Sequence, residues 1–176
     1  MDLVRVLWWM LSWLAPPDVT PEVQRVVQKT EGLVQRIQVF DERLKCATEA
    51  FTVRRNFRPL VRKQEDLVLR KVAHQPFCPV PLSEIVSFKN RVYDRVAERD
   101  QAEGLFARAE DRYNQAYTGL VNLFAVDPQR EHPACVEQRK MSEQFEAVKR
   151  LQITLVDDIE WFEKRCQACW TQNCYD

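Results

Sequence analysis

Six cysteines and two histidines are the residues of this chain best suited to metal binding, disulfide formation or nucleophilic chemistry. Cys166, Cys169 and Cys174 form a Cys-x2-Cys-x4-Cys pattern near the carboxyl end. The pattern fits buried thiols on an apolar helix face, a disulfide among the six cysteines, or part of a zinc site. Because zinc needs a fourth ligand and none is nearby, we assign no metal site. No disulfide pairing follows from the spacing.

The histidines and carboxylates show no catalytic arrangement. His74 and His132 lie beside prolines in predicted loops, at no spacing that suits a metal pair or a nucleophile and its base. The chain contains no glycine-rich phosphate loop and no hydrolase or metalloprotease motif. Asp157 and Asp158 are expected on the solvated face of a helix. We therefore expect a protein that is not an enzyme, with no catalytic residue, no cofactor and no small-molecule substrate.

A basic cluster is the clearest charged feature of a chain whose formal net charge is +0. Glu65 and Asp66 are the acidic residues inside it. An anionic lipid surface or an acidic protein partner would be attracted to such a cluster. The alternative is pairing with acidic residues of the same protein, and the zero net charge argues against nucleic acid. The cluster consists of Arg54, Arg55, Arg58, Arg62, Lys63, Arg70 and Lys71.

The amino-terminal segment, Met1 to Ala15, is rich in tryptophan and apolar residues. As a helix it is about 22 Å long, too short to cross an apolar bilayer core of about 30 Å comfortably. A helical wheel collects its polar residues in one narrow sector, which predicts a helix lying in a membrane interface. Packing against another protein, a cleaved secretory signal and a re-entrant insertion are the alternatives. The residues expected to contact membrane or partner are Leu3, Leu7, Trp8, Trp9, Met10, Leu11, Trp13 and Leu14.

The rest of the chain, residues 18–176, has the composition of long helices, with only 3 glycines and 30% charged residues. We predict helices at about 20–57, 60–74, 82–125 and 133–172, with Pro59 breaking the first. The expected fold is all-α: an antiparallel bundle of long coiled-coil helices after a short amphipathic amino-terminal helix (1–17).

Apolar residues recur at alternating spacings of three and four along these helices, which is typical of coiled-coil packing. In the first helix the series is Val23, Val26, Thr30, Leu33, Ile37, Phe40, Leu44, Ala47 and Phe51. The later series include Phe88, Val92, Phe106, Ala109 and Tyr113, and then Met141, Phe145, Val148, Leu155, Ile159, Phe162, Cys166 and Cys169.

This helix plan resembles that of BAR-domain proteins of the amphiphysin and sorting-nexin type. The run RLQITLVDDIEWFEKR at 150–165 is similar to the last BAR helix of sorting nexins. The resemblance implies a crescent-shaped dimer that binds curved anionic membrane. By position, the basic residues it implies for this contact are Arg54, Arg55, Arg58, Arg62, Lys63, Arg91, Arg95 and Arg99.

The sequence therefore favours a non-catalytic helical scaffold or accessory subunit of a membrane-associated multiprotein complex. A peripheral position on the mitochondrial inner membrane is the expected setting, with subunits of that complex or the membrane surface as partners. The alternative is a BAR-type curvature or trafficking module that binds anionic lipid as a homodimer.

Overall fold

A computed structural model describes residues 21–73, 78–122, 127 and 130–172 of the chain. They form α1 (Pro21–Ala73), α2 (Leu82–Ala116) and α3 (Pro133–Gln172). The prediction of an all-α protein is confirmed for these residues. The predicted amino-terminal helix, with all of its proposed contact residues, lies outside them, as do His74 and Cys174.

Contacts between side chains set the directions of the three helices. Glu84, near the start of α2, pairs with Arg165 near the end of α3 at 3.0 Å. Gln64 of α1 donates a hydrogen bond of 2.7 Å to the carbonyl oxygen of Val148 in α3, and Cys46 lies beside Cys135. Helix α2 therefore runs antiparallel to α3, whereas α1 runs in the same direction as α3.

Two apolar clusters form the core. In the first, the rings of Phe57 and Phe106 stack with centroids 3.7 Å apart, beside Met141 and Val148. In the second, Phe88 stacks on Phe162 with centroids 4.2 Å apart. The apolar series predicted for α2 and α3 line these clusters, because each helix buries one side along much of its length.

Two predicted helix boundaries are wrong. Helix α1 continues through Pro59, which is exposed, so water can bond the carbonyl that the missing N–H leaves free. Helix α2 was expected to reach residue 125 but ends at Ala116. Gly119 follows with a φ of 82°, a left-handed conformation that no α-helix contains. The helix bounds of α3 match the prediction.

The amino-terminal part of α1 extends beyond the other two helices. With 53 residues against 35 and 40, α1 is the longest of the three. Every residue from 21 to 38 is exposed except Gly32. Burial begins around Val39 and Arg43, so this first stretch of α1 is an arm that buries little surface against the rest of the described chain.

Candidate interaction surface

Helix α1 carries two apolar stripes on different sides. The inner stripe packs into the core and consists of Cys46, Ala50, Val53, Phe57 and Val61. The heptad series predicted from sequence, Val23 to Phe51, is centred about 140° away around the helix at 3.6 residues per turn. We call this series the outward seam.

The outward seam is largely exposed among the described residues. Val26 is 62% exposed, Leu33 and Ile37 are each 58% exposed, and Phe51 is 67% exposed. Phe40 and Ala47 are half-buried. Val27 and Val34, which neighbour the seam, are also exposed and widen its apolar face. Soluble proteins rarely leave a contiguous apolar stripe of this length open, so this stripe is a candidate binding surface.

Arg54 does not belong to an open basic surface. Its Nε lies 3.1 Å from Oε1 of Glu110, and its guanidinium donates a hydrogen bond to Asn114 and lies 4.6 Å from the ring centroid of Tyr113. Burial raises the pKa of Tyr113, and the Arg54 charge acts in the opposite direction. Arg54 thus follows the intramolecular alternative and joins α1 to α2.

The other basic residues of the cluster lie on two different sides of α1. Arg55, Arg58 and Arg62 continue the outward side of α1 after Phe51, and we call them the basic patch. All three are exposed and make no ion pair with the described residues. Lys63 and Arg70 are exposed about 100° further around the helix. The side chain of Lys71 lies outside the described part.

The cations of α2 that the BAR resemblance implies are engaged in ion pairs within the chain. Arg91 lies 3.6 Å from the Asp158 carboxylate and its guanidinium is 5.3 Å from the ring centroid of Trp161. Arg95 pairs with Glu98 at 3.4 Å, and Arg99 pairs with its neighbour Asp100 at 2.7 Å. Asp158, expected on a solvated face, therefore contacts a cation of α2, while Asp157 is exposed.

The cysteines form disulfides. Cys46 of α1 is bonded to Cys135 of α3, with Cα atoms 5.6 Å apart. Cys78, just before α2, is bonded to Cys166, with Cα atoms 5.4 Å apart. Cys169 is disulfide-bonded as well. The interpretation as buried thiols is wrong for these residues, and the described part of the chain contains no cluster of metal-ligating side chains.

A cavity of about 460 Å³ lies between α1 and the start of α3, near the first disulfide. Arg43 lines it and is 5% exposed, and its Nε and Nη1 are buried with no hydrogen-bond partner in the described part of the chain. His132 also lines it and caps α3, since its Nδ1 accepts a hydrogen bond of 3.2 Å from the N–H of Ala134. Burial, and secondarily the Arg43 charge, lower the pKa of His132. The cap depends on the Nδ1 lone pair, so it is the neutral form of the imidazole that accepts this hydrogen bond.

Comparisons with protein families, curated proteins and solved structures give no match for this chain. Among the described helices, none combines the length and the apolar character needed to cross a membrane. The geometry thus leaves the outward side of α1, apolar in its first half and basic in its second, as the candidate functional surface.

Proposed function

We propose that this protein is a non-catalytic helical scaffold, or accessory subunit, of a membrane-associated multiprotein assembly. The observation that carries the proposal is the exposed outward seam of α1, which continues into the basic patch. An apolar seam of heptad spacing suits a helical protein partner. A cluster of exposed arginines suits an anionic surface.

The three helices act in this proposal as a disulfide-stapled antiparallel bundle that holds the outward side of α1 in place. Cys46–Cys135 fixes α1 to α3 at the point where the arm leaves the body. The Trp-rich residues 1–15 precede this arm in the sequence, five residues before its start, and in this proposal they supply an interfacial contact. A peripheral position follows, with the arm and basic patch facing lipid headgroups or neighbouring subunits.

The disulfides bear on the compartment. Disulfides persist in oxidising spaces and are rare in the cytosol. We therefore place the protein on a membrane face that borders an oxidising compartment. For the mitochondrial inner membrane, this means the face toward the intermembrane space.

The membrane part of the proposal is tested by flotation of the intact protein with vesicles of anionic lipid. Charge reversal of the basic patch (Arg55→Glu, Arg58→Glu, Arg62→Glu) should abolish most of the salt-sensitive binding. The matched control reverses three exposed arginines on the other helices, Arg108, Arg112 and Arg150. Equal loss in both variants, or no loss in either, would contradict a role for the patch.

A chain lacking residues 1–15 tests the amino-terminal segment in the same assay. If the truncated chain binds less than the full chain at high salt, the tryptophans insert into the membrane. High salt screens the charges and leaves the burial of apolar side chains intact. Unchanged flotation assigns the segment to a protein contact instead.

The BAR-type alternative requires a larger set of exposed basic residues than the basic patch alone. Arg54, Arg91, Arg95 and Arg99 are engaged within the protein, which leaves Arg55, Arg58, Arg62 and Lys63 of the implied set open. A curvature module would remodel vesicles into tubules by itself, whereas a scaffold subunit binds them without remodelling. Electron microscopy of the flotation samples separates the two.

A further inference from the structure

We propose that the outward seam of α1 pairs with the same seam of a second copy of this chain, in parallel and in register. The inference rests on the proposed scaffold function and names the partner of its surface. The seam spans Val23 to Phe51, four heptads or about 42 Å at 1.5 Å per residue. Eight of its nine residues are apolar, a length and regularity that indicate coiled-coil pairing.

A partner is needed because the arm is a lone helix. Residues 21–38 are exposed except Gly32, so among the described residues they gain little of the tertiary packing that supplies most of the stability of a helix in a protein. The segment 1–15 of the same chain is about 22 Å long as a helix, so by itself it covers only about half of the seam. A second α1 covers the whole seam.

Side-chain shape in the amino-terminal half of the seam favours a two-stranded parallel pair. With Val23 at heptad position a, Thr30 and Ile37 also occupy a, and Leu33 occupies d. β-Branched residues at a with leucine at d favour parallel dimers. The Thr30 hydroxyl donates a hydrogen bond of 2.8 Å to the carbonyl of Val26, so its polar group is satisfied within its own helix.

Charges beside the seam favour the parallel direction. In a parallel pair, Arg36 of one copy faces Asp41 of the other, while Glu22 and Lys29 face valines. Asp41 already contacts the exposed Lys45 at 2.7 Å and has a second carboxylate oxygen for Arg36. Antiparallel pairing along the seam places Arg36 of one copy against Arg36 of the other, which is repulsive.

The basic patch sets the end of the pairing. Arg58 occupies the a position that follows Phe51, and Arg55 and Arg62 lie beside it. Two copies would bring these like charges together. Because like charges repel, the coiled coil ends at Phe51 and the two α1 helices diverge beyond it. The bodies of the two copies lie on the far side of each α1, where the inner stripe packs. Both basic patches then lie at the same end of the dimer, where together they offer twice the charge of one copy to an anionic surface.

Sedimentation equilibrium of the intact protein tests the pairing. The wild type should be a dimer, and Ile37→Glu should convert it to a monomer. The matched control is Ile153→Glu, an isoleucine of α3 that is 62% exposed and lies off the seam. A monomeric wild type, or a dimer that survives Ile37→Glu, overturns the proposal. Circular dichroism checks that both variants keep their helices.

The relative direction of the two α1 helices in the dimer is tested by a photo-crosslinking amino acid introduced at position 26 of the intact chain. Parallel pairing joins position 26 to residues near Val26 of the other copy, whereas antiparallel pairing joins it to residues near Leu44. Crosslinks near Leu44 overturn the parallel arrangement. Flotation of the Ile37→Glu variant separates this pairing from the proposed scaffold function. If the monomeric variant still binds vesicles, membrane binding does not depend on the dimer, and the two proposals can fail independently.

Discussion

Ala50 and Phe51 are neighbours in sequence, yet Ala50 is 1% exposed and Phe51 is 67% exposed. Ala50 lies on the inner stripe of α1 and Phe51 on the outward seam. The large apolar side chain thus faces away from the core, while the small one allows α1 to approach α3. Helix α1 therefore has one face that packs into the core and one apolar face that is exposed among the described residues.

The two faces of α1 should respond differently to the same substitution. Phe57→Ala removes a buried ring stacked on Phe106 and should lower the free energy of unfolding by about 3–5 kcal/mol. Phe51→Ala should leave the stability of the monomer within about 0.5 kcal/mol, because the side chain is exposed. Urea unfolding of both variants in an Ile37→Glu background, which removes the pairing, gives this comparison. Equal losses would contradict the separation of the two faces.

Removal of either disulfide should destabilise the protein. Cys46–Cys135 and Cys78–Cys166 each close a long loop, with sequence separations of 89 and 88. Each double serine variant should therefore lose about 2–4 kcal/mol. Thermal unfolding with and without a reducing agent measures this loss, and reductant should have little further effect on a variant in which every cysteine is serine. Unchanged melting of the wild type on complete reduction would show that the disulfides contribute no stability.

Gln64 should tolerate little change, because it is a buried polar residue with a specific partner. It is 2% exposed, and its side-chain N–H group donates to the carbonyl of Val148. Gln64→Ala should cost about 1–3 kcal/mol, since the carbonyl loses this donor and a cavity forms. Gln35→Ala, on the exposed arm, is the control for the same change of residue type. Chemical denaturation should show a clearly larger loss in the free energy of unfolding for Gln64→Ala than for Gln35→Ala. Similar losses in the two variants would contradict the role assigned to Gln64.

Stability should decrease below neutral pH through His132. Its pKa is lowered in the folded protein, so the unfolded chain binds the proton first as the pH falls. The contribution of the neutral imidazole is therefore complete above a pH of about 6.5 and is lost as the pH falls below it. His132→Asn keeps a capping acceptor without the titration and should flatten this part of the profile. A profile of melting temperature against pH that is identical in the two proteins would contradict this assignment.

The sequence predicts the buried faces of α2 and α3 because each helix has one apolar stripe, and that stripe packs on a neighbour. Helix α1 has two stripes, and periodicity alone does not tell which one faces the body. The same limit applies to the basic cluster. Arg54 and Arg55 differ by one position, yet only tertiary structure gives Arg54 the partners Glu110 and Asn114.

Other features could not be predicted from the sequence, for physical reasons. Disulfide pairing depends on how the helices meet, so Cys46 and Cys135 cannot be matched from spacing alone. Pro59 normally interrupts a helix, but packing of Phe57 and Val61 on either side of it keeps α1 continuous. Gln64 gave no signal, because a buried glutamine and an exposed one look alike in an amphipathic pattern.

Amide hydrogen exchange of residues 21–38 tests the central claim most directly. A lone arm exchanges rapidly, whereas an arm paired along its seam is protected. We predict strong protection of these amides in the intact wild-type protein and its loss in Ile37→Glu, while α3 stays protected in both. Rapid exchange of the arm in the wild type would contradict a covered outward seam and, with it, the proposed role of α1.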